Sequence, residues 1–293
     1  MQDETTINNT KALQLIECPR DAMQGWLPFI DTKHKAAYIN QLLHVGFDTL
    51  DFGSFVSPKA IPQMRDTKDV LALLNLQETT TKLLAIVANV RGAEEAIYYS
   101  EISYLGFPFS LSPTFQLRNT NATIEQSLQT VDAIQELCVK HGKELVIYLS
   151  MGFGNPYGDD YNEDVLLHFA DVMADKSIHI LSLSDTVGMA TPAQIQNAFS
   201  TLIPAYPNIT FGAHLHTEKI NYQQKLQATL DAGCRRFDGA IKGIGGCPMA
   251  GNELVGNMPT ELMIEYLERL DFYTHINHDQ LRESVAMATK LFV

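Results

Sequence analysis

The amino-acid sequence predicts an α/β fold, specifically a (β/α)8 TIM barrel with an additional C-terminal helix. Eight short runs rich in β-branched and aromatic residues alternate with longer segments of helical pattern along the 293 residues. Each apolar run is typical of a buried parallel strand. Eight strand-helix units in one chain make a closed barrel the most economical arrangement.

The predicted elements follow one another in strict alternation. Strands are predicted at 13–18, 47–52, 82–88, 102–109, 144–150, 178–183, 209–214 and 235–241. Helices are predicted at 33–46, 65–78, 92–100, 123–142, 162–176, 192–206, 218–233 and 259–270, with the additional helix at 277–290. Start signals such as Thr191-Pro192 and stop signals such as Gly142 and Gly233 bound several of these helices.

An open, doubly wound sheet is the alternative architecture. It is less favoured because no glycine-rich phosphate-binding turn follows the first strand. No linker, repeat or low-complexity segment divides the chain, so residues 1–293 are predicted to form a single barrel domain.

The charge of the chain limits its partners. The net charge of -13 argues against nucleic acid or an anionic membrane, because a polyanion would be repelled. The longest apolar stretches fall below the roughly 20 residues that span a bilayer. The polar, acidic N-terminal segment is unlike a signal peptide, and we expect a cytoplasmic protein. The four cysteines show no paired spacing, which indicates neither disulfides nor a zinc cluster.

A pair of histidines gives the first indication of a metal site. His214 and His216 end the seventh predicted strand, and alternate residues of a strand point to the same face. Asp21 supplies a carboxylate after the first strand, and Asn257 supplies an amide oxygen after the eighth. Such a set suits Mg²⁺, Mn²⁺ or Zn²⁺, and the absence of thiolates favours Mg²⁺ or Mn²⁺.

Further polar residues follow the same strand ends, where the active site of a barrel forms. Arg20 adjoins Asp21, and both can enter the site only if the chain bends there, which Pro19 favours. The others are Asp51 at the end of strand two, Ser150 at the end of strand five, Asp185 after strand six and Cys247 after strand eight. Cys247 lies in a glycine-rich loop that lets backbone approach a ligand closely, unlike Cys138 and Cys234.

Five segments resemble the metal-dependent carbon-carbon lyases and synthases built on TIM barrels, and among them the 3-hydroxy-3-methylglutaryl-CoA lyases most closely. The resemblance runs from about residue 13 to about residue 290. The segments are Glu17-Cys-Pro-Arg-Asp-Ala-Met-Gln24, Ser54-Phe-Val-Ser-Pro-Lys-Ala-Ile-Pro-Gln-Met64, Asp185-Thr-Val-Gly-Met-Ala-Thr-Pro192, His214-Leu-His216 and Gly243-Ile-Gly-Gly-Cys-Pro248. The second is the most specific to the lyases.

The resemblance implies a residue-by-residue assignment. Asp21, His214, His216 and Asn257 would hold the divalent metal, and Arg20, Gln24 and Ser150 would bind substrate. The catalytic residues would be Arg20, Asp21, Asp51, Asp185, His214 and Cys247, with Cys247 protonating the enolate or closing the site. The implied reaction cleaves an acyl-CoA, 3-hydroxy-3-methylglutaryl-CoA, to acetyl-CoA and acetoacetate through an enolate. The resemblance also favours a homodimer.

Two departures from the lyase pattern leave the substrate open. Thr217-Glu218-Lys219 stands in place of the lyases' Asp-Thr-Tyr run, and Asp51 in place of their Glu. One alternative is a related aldolase or lyase that acts on a 4-hydroxy-2-oxoacid or another acyl-CoA. The other is a barrel that binds metal without turnover.

Overall fold

Eight parallel strands form a closed barrel in the computed structural model, which describes residues 13–246 and 255–293. Each strand pairs in parallel with the next, and β8 closes the barrel by pairing with β1. The strands are β1 (Gln14–Glu17), β2 (Thr49–Ser54), β3 (Lys82–Ile86), β4 (Ile102–Ser110), β5 (Glu144–Ser150), β6 (Ile180–Asp185), β7 (Thr210–Leu215) and β8 (Arg236–Gly239). The predicted (β/α)8 barrel is confirmed, and the open sheet is wrong.

Helices occupy the connections between the strands. They are α1 (Pro19–Gln24), α2 (Thr32–Leu43), α3 (Thr67–Leu71), α4 (Val90–Ala96), α5 (Pro113–Thr120), α6 (Ile124–Lys140), α7 (Glu163–Asp175), α8 (Pro192–Ala205), α9 (Tyr222–Asp231), α10 (Thr260–Arg269) and α11 (His278–Leu291). The last is the predicted additional helix, and it packs against α2. No helix in the described ranges is long and apolar enough to cross a membrane.

Two short helices, α1 and α5, are absent from the prediction. Each begins with a proline that one or two residues separate from the end of a strand, and they are only six and eight residues long. Proline suits the first turn of a helix because its missing N–H has no partner there in any case. Helices of one or two turns show too little periodicity to be recognised from the sequence. The predicted helix at 65–78 is also shorter than expected, since α3 ends at Leu71.

The main hydrophobic core lies between the barrel and the helices, whereas the barrel interior is partly polar. Leu84, Val146 and Tyr148 form a small separate apolar cluster. Arg236 is buried as well, and it occupies space left by a glycine, because a Cβ at Gly212 would lie 2.7 Å from the Arg236 Nη1. This interior therefore accommodates charged side chains below the C-terminal mouth of the barrel.

Candidate active site

The chain turns into the site immediately after β1. Pro19 begins α1, and Arg20 and Asp21 follow within its first turn. Both side chains are buried, with only 8% and 5% of their surface exposed. A helical turn at the strand end thus supplies the bend that two adjacent residues need to reach the same site.

Asp21, His214 and His216 converge at the C-terminal mouth of the barrel. Their candidate ligand atoms all lie within 4.8 Å of one another. One carboxylate and two imidazoles at this spacing fit a divalent cation. His216 is suited to bind metal because burial, reinforced by the neighbouring His214, lowers its pKa to about 4 and keeps the imidazole neutral.

Asn257 joins this cluster from the segment after β8. Its side-chain Nδ2 donates to the Asp21 Oδ2 at 2.7 Å and to the Ile244 carbonyl at 2.9 Å. Its backbone also forms an isolated bridge with His216. Asn257 therefore lies beside the other three residues, and the use of its amide oxygen as a fourth ligand stays a prediction.

Gly245 allows this close approach. A Cβ at Gly245 would lie 2.7 Å from the Asn257 Nδ2 and 2.8 Å from the Asp21 carbonyl oxygen. The residue also has φ +105°, a conformation that side chains with a Cβ rarely adopt. A glycine at this position is thus required both by the backbone and by the packing around two of the candidate ligands.

Asp238 is a site residue that the sequence analysis missed. Its Oδ2 lies 3.1 Å from the His214 Nδ1, while its Oδ1 accepts a bond from the Arg236 Nη1 at 3.0 Å. Burial alone would lower the pKa of His214, but the bond to Asp238 and the charge of Asp21 raise it overall. A carboxylate on one ring nitrogen fixes the orientation of a metal-binding histidine and leaves the Nε2 for the metal. The signal in the sequence that could have identified Asp238 is its position as a charged residue inside a predicted buried strand.

Arg20 is held by three polar side chains. Its Nε donates to the Asp51 Oδ2 at 3.0 Å, and its Nη2 donates to the same oxygen. Its Nη1 donates to the Asp21 Oδ1 at 3.1 Å and to the Gln24 Oε1 at 2.8 Å. Burial would raise the pKa of Asp21, but Arg20 and the two histidines lower it overall. Burial also raises the pKa of Asp51, and Arg20 opposes that rise.

A cavity of about 380 Å³ opens over these groups. It is lined by Arg20, Asp21 and the two histidines, together with the predicted substrate-binding residues Gln24 and Ser150. Much of the remaining lining is apolar and is formed by Val56, Ala60, Ile61, Ile86, Ala88 and Pro108. A larger cavity of about 650 Å³ lies at the N-terminal mouth, but it contains none of the candidate ligands. The smaller cavity is therefore the candidate active site.

Three predicted catalytic residues are not among those found to line the cavity. Asp51 is completely buried and accepts bonds from Arg20 instead. Asp185 ends β6, yet it does not line the cavity, although its neighbours Ser184 and Thr186 do. Its Oδ2 instead accepts a bond from the Lys225 Nζ at 2.6 Å, and its Oδ1 accepts one from the Ala190 N–H at 3.1 Å. Cys247 lies outside the described residues. The catalytic roles of all six predicted residues stay predictions.

Comparison with known families agrees with this geometry. The model of the HMGL-like family matches residues 13–287. The chain belongs to this family. A hydroxymethylglutaryl-CoA lyase of Bacillus subtilis is 32% identical to this HMGL-like chain over 263 residues, covering 90% of this chain and 87% of that one. A 3-hydroxy-3-isohexenylglutaryl-CoA/hydroxymethylglutaryl-CoA lyase of Pseudomonas aeruginosa is 28% identical, covering 92% and 90%.

Solved structures extend the similarity to the whole barrel. An HMG-CoA lyase from Acinetobacter baumannii, in complex with coenzyme A and 3-methylmalate, is similar with a TM-score of 0.90 and 29% identity. The matched region covers 97% of this HMGL-like chain and 92% of that one. The HMG-CoA lyase of Bacillus subtilis is similar with a TM-score of 0.89 and 30% identity, covering 96% and 94%.

Proposed function

We propose that this HMGL-like protein is a divalent-metal-dependent carbon-carbon lyase that cleaves a 3-hydroxy-3-methylglutaryl-CoA-like thioester to acetyl-CoA and acetoacetate. The observation that carries the proposal is the cluster of Asp21, His214 and His216 beside Arg20, within one cavity. The activities for which the relatives are named support the reaction. The coenzyme A in the Acinetobacter baumannii structure supports an acyl-CoA substrate.

Asp21, His214 and His216 would hold the metal, with Asn257 as the fourth protein ligand. Hard oxygen donors favour Mg²⁺ or Mn²⁺, with Zn²⁺ as the alternative. A divalent cation bound there would supply Lewis acidity to the oxygen atoms of the substrate. Asp238 would hold the His214 ring so that its Nε2 faces the site.

Arg20 would stabilise the enolate that forms when the carbon-carbon bond breaks. Within the described part of the chain, its bonds to Asp51, Asp21 and Gln24 account for four of the five N–H donors of a guanidinium. One N–H of the Nη2 is left, and Arg20 lines the cavity. A positive charge fixed in place before the reaction stabilises a developing oxyanion without reorganising during it.

The remaining assignments rest on the resemblance and on position. Ser150 and Gln24 line the cavity and would contact substrate, while the apolar wall would exclude water from the enolate. Cys247 would protonate the enolate or help to close the site. A homodimer and a cytoplasmic location are further expectations from the sequence.

A substrate panel tests the proposal. Purified protein is assayed with Mg²⁺ and with Mn²⁺ against 3-hydroxy-3-methylglutaryl-CoA, homologous acyl-CoA esters and a CoA-free 4-hydroxy-2-oxoacid, and the ketoacid product is measured. We expect acetoacetate from the first substrate and its loss with a chelator. Cleavage of the 4-hydroxy-2-oxoacid alone would replace the proposal by the aldolase alternative. No product from any substrate, with metal bound, would indicate a barrel without turnover.

A further inference from the structure

Lys225 is a buried lysine directly behind the candidate metal site. It lies on α9, the helix that follows β7, and only 2% of its surface is exposed. Its Nζ donates to the Asp185 Oδ2 at 2.6 Å, to the Gly188 carbonyl at 2.9 Å and to the His216 carbonyl at 2.9 Å. These three bonds use all three N–H donors of an ammonium group.

The three acceptors belong to different segments that meet at the site. Asp185 ends β6, Gly188 belongs to the turn that follows, and His216 is a candidate metal ligand just after β7. A buried ammonium is stable only when it is paired and hydrogen-bonded. Asp185 supplies the opposite charge, so the other two bonds can connect the charged pair to the backbone. The pair therefore fixes the position of the His216 backbone relative to β6.

We propose that Lys225 is a positioning residue that, together with Asp185, holds His216 in its metal-binding orientation. The inference rests on the proposed metal site and assigns Asp185 an indirect role. Asp185 does not line the cavity, and its two oxygens accept bonds from Lys225 and Ala190. A ligand fixed before the metal arrives loses less freedom on binding, and loosening its support weakens the metal site.

A second buried lysine provides a matched control. Lys35 is also 2% exposed, and its Nζ donates to the Asp66 Oδ1 at 2.7 Å and to the Gln63 carbonyl. Like Lys225, it pairs with a carboxylate and a backbone carbonyl, and its Nζ also lies 4.1 Å from the centroid of the Phe29 ring. However, it binds neither a candidate ligand nor a residue that lines the site cavity. Replacing either lysine by methionine leaves a buried carboxylate without its positively charged partner, so both variants should be less stable than the wild type.

The experiment compares Lys225→Met with Lys35→Met, using Mn²⁺ alone as the probe. Mn²⁺ affinity is measured by titration calorimetry and unfolding by thermal denaturation. We expect Mn²⁺ to bind about 10- to 100-fold more weakly to Lys225→Met, the range typical for loss of a group that supports a metal ligand. Lys35→Met should keep the wild-type affinity within about twofold while its melting temperature falls.

The double variant Asp185→Asn/Lys225→Met separates positioning from charge burial. It removes the unpaired carboxylate, so its stability should recover relative to Lys225→Met, but the bond to His216 stays lost and Mn²⁺ binding should stay weak. It also gives the decisive measurement if Lys225→Met does not fold. If the double variant binds Mn²⁺ with wild-type affinity, the inference is wrong although the proposed metal site stands. The same holds if Lys35→Met weakens Mn²⁺ binding as much as Lys225→Met does. Absence of Mn²⁺ binding in the wild-type protein would overturn the proposed metal site and the inference with it.

Discussion

The Nε of Arg20 lies between the two carboxylate oxygens of Asp51, 3.2 Å from the Oδ1 and 3.0 Å from the Oδ2. Asp51 is completely buried and lies in β2, whereas Arg20 lies in the helical turn after β1. The pair therefore fixes the guanidinium plane from a neighbouring strand. This arrangement requires the planar fork of arginine, which the compact ammonium of lysine cannot reproduce.

The first prediction concerns Arg20→Lys. We expect kcat to fall by about 10²–10³, the usual effect of losing one oxyanion-stabilising donor. Mn²⁺ should still bind, because the metal ligands remain, but with lower affinity, since Arg20 also donates to the Asp21 Oδ1. Steady-state assays with the true substrate and titration calorimetry check the two parts. Near-normal kcat in this variant would remove Arg20 from the proposed mechanism.

A second prediction concerns Asp238→Asn. Asp238 orients the His214 ring, and residues that support a metal-binding histidine typically account for about 10- to 100-fold in metal affinity. We expect a loss of Mn²⁺ affinity in that range, measured by calorimetry. Asp48→Asn is the control, because Asp48 is a carboxylate at the opposite mouth of the barrel that accepts a bond from the Leu15 N–H. An Asp238→Asn protein that binds Mn²⁺ as tightly as the control would contradict the assigned role.

Gly245→Ala tests the packing around Asn257. A Cβ there would contact the Asn257 Nδ2 and the Asp21 carbonyl oxygen, so both candidate ligands should be displaced. We expect weaker Mn²⁺ binding and lower activity. Gly142→Ala is the matched control, since Gly142 also has a positive φ, +65°, but nothing lies within 4 Å of its Cβ position. It should lose only about 1 kcal/mol of stability from backbone strain. Equal metal affinity in the two variants would show that Gly245 is required only by its backbone.

The fourth prediction is a pH dependence of stability caused by Glu17. Burial raises its pKa from 4.5 to about 8, although bonds from Thr260 and the Ile241 N–H oppose the rise. The pKa of Glu17 is higher in the folded protein than in the unfolded one. Protonated Glu17 therefore makes its full contribution to stability below pH 4.5. This contribution is lost as the pH rises through about 8.

Glu17→Gln replaces the carboxyl group by an amide that has nearly the same shape and does not titrate. Its free energy of unfolding should match that of the wild type near pH 4.5 and exceed it by more than about 1 kcal/mol at pH 8. Chemical denaturation at both pH values measures the difference. A constant difference between the two proteins over this range would show that Glu17 is already ionised when folded.

The sequence contained enough information for the parts of the site that depend on local spacing. His214 and His216 share a face because they are two residues apart in extended chain, which needs no knowledge of the rest of the fold. The position of Asp21 at the same mouth followed from the order of parallel strands. The eight strands themselves were recognisable as separate apolar runs between helical segments.

Asp238 and Lys225 required information that the sequence pattern does not contain. Asp238 pairs directly with His214 in the register of β7 and β8. A shift of one residue would turn it to the other face, and predicted strand ends were up to two residues away from the observed ones. Lys225 lies on a helix, where lysine is usually exposed, and its burial depends on the tertiary partners Asp185 and His216.

The most direct test measures metal content and acetoacetate release on the same samples of wild-type protein and His216→Ala. Elemental analysis gives the metal per chain, and the rate is measured with 3-hydroxy-3-methylglutaryl-CoA in the presence of Mn²⁺. We predict one tightly bound metal ion per chain and turnover for the wild type, with both lost in a His216→Ala protein that still folds. A His216→Ala protein that keeps its metal and its turnover would contradict the proposed centre and the lyase mechanism built on it.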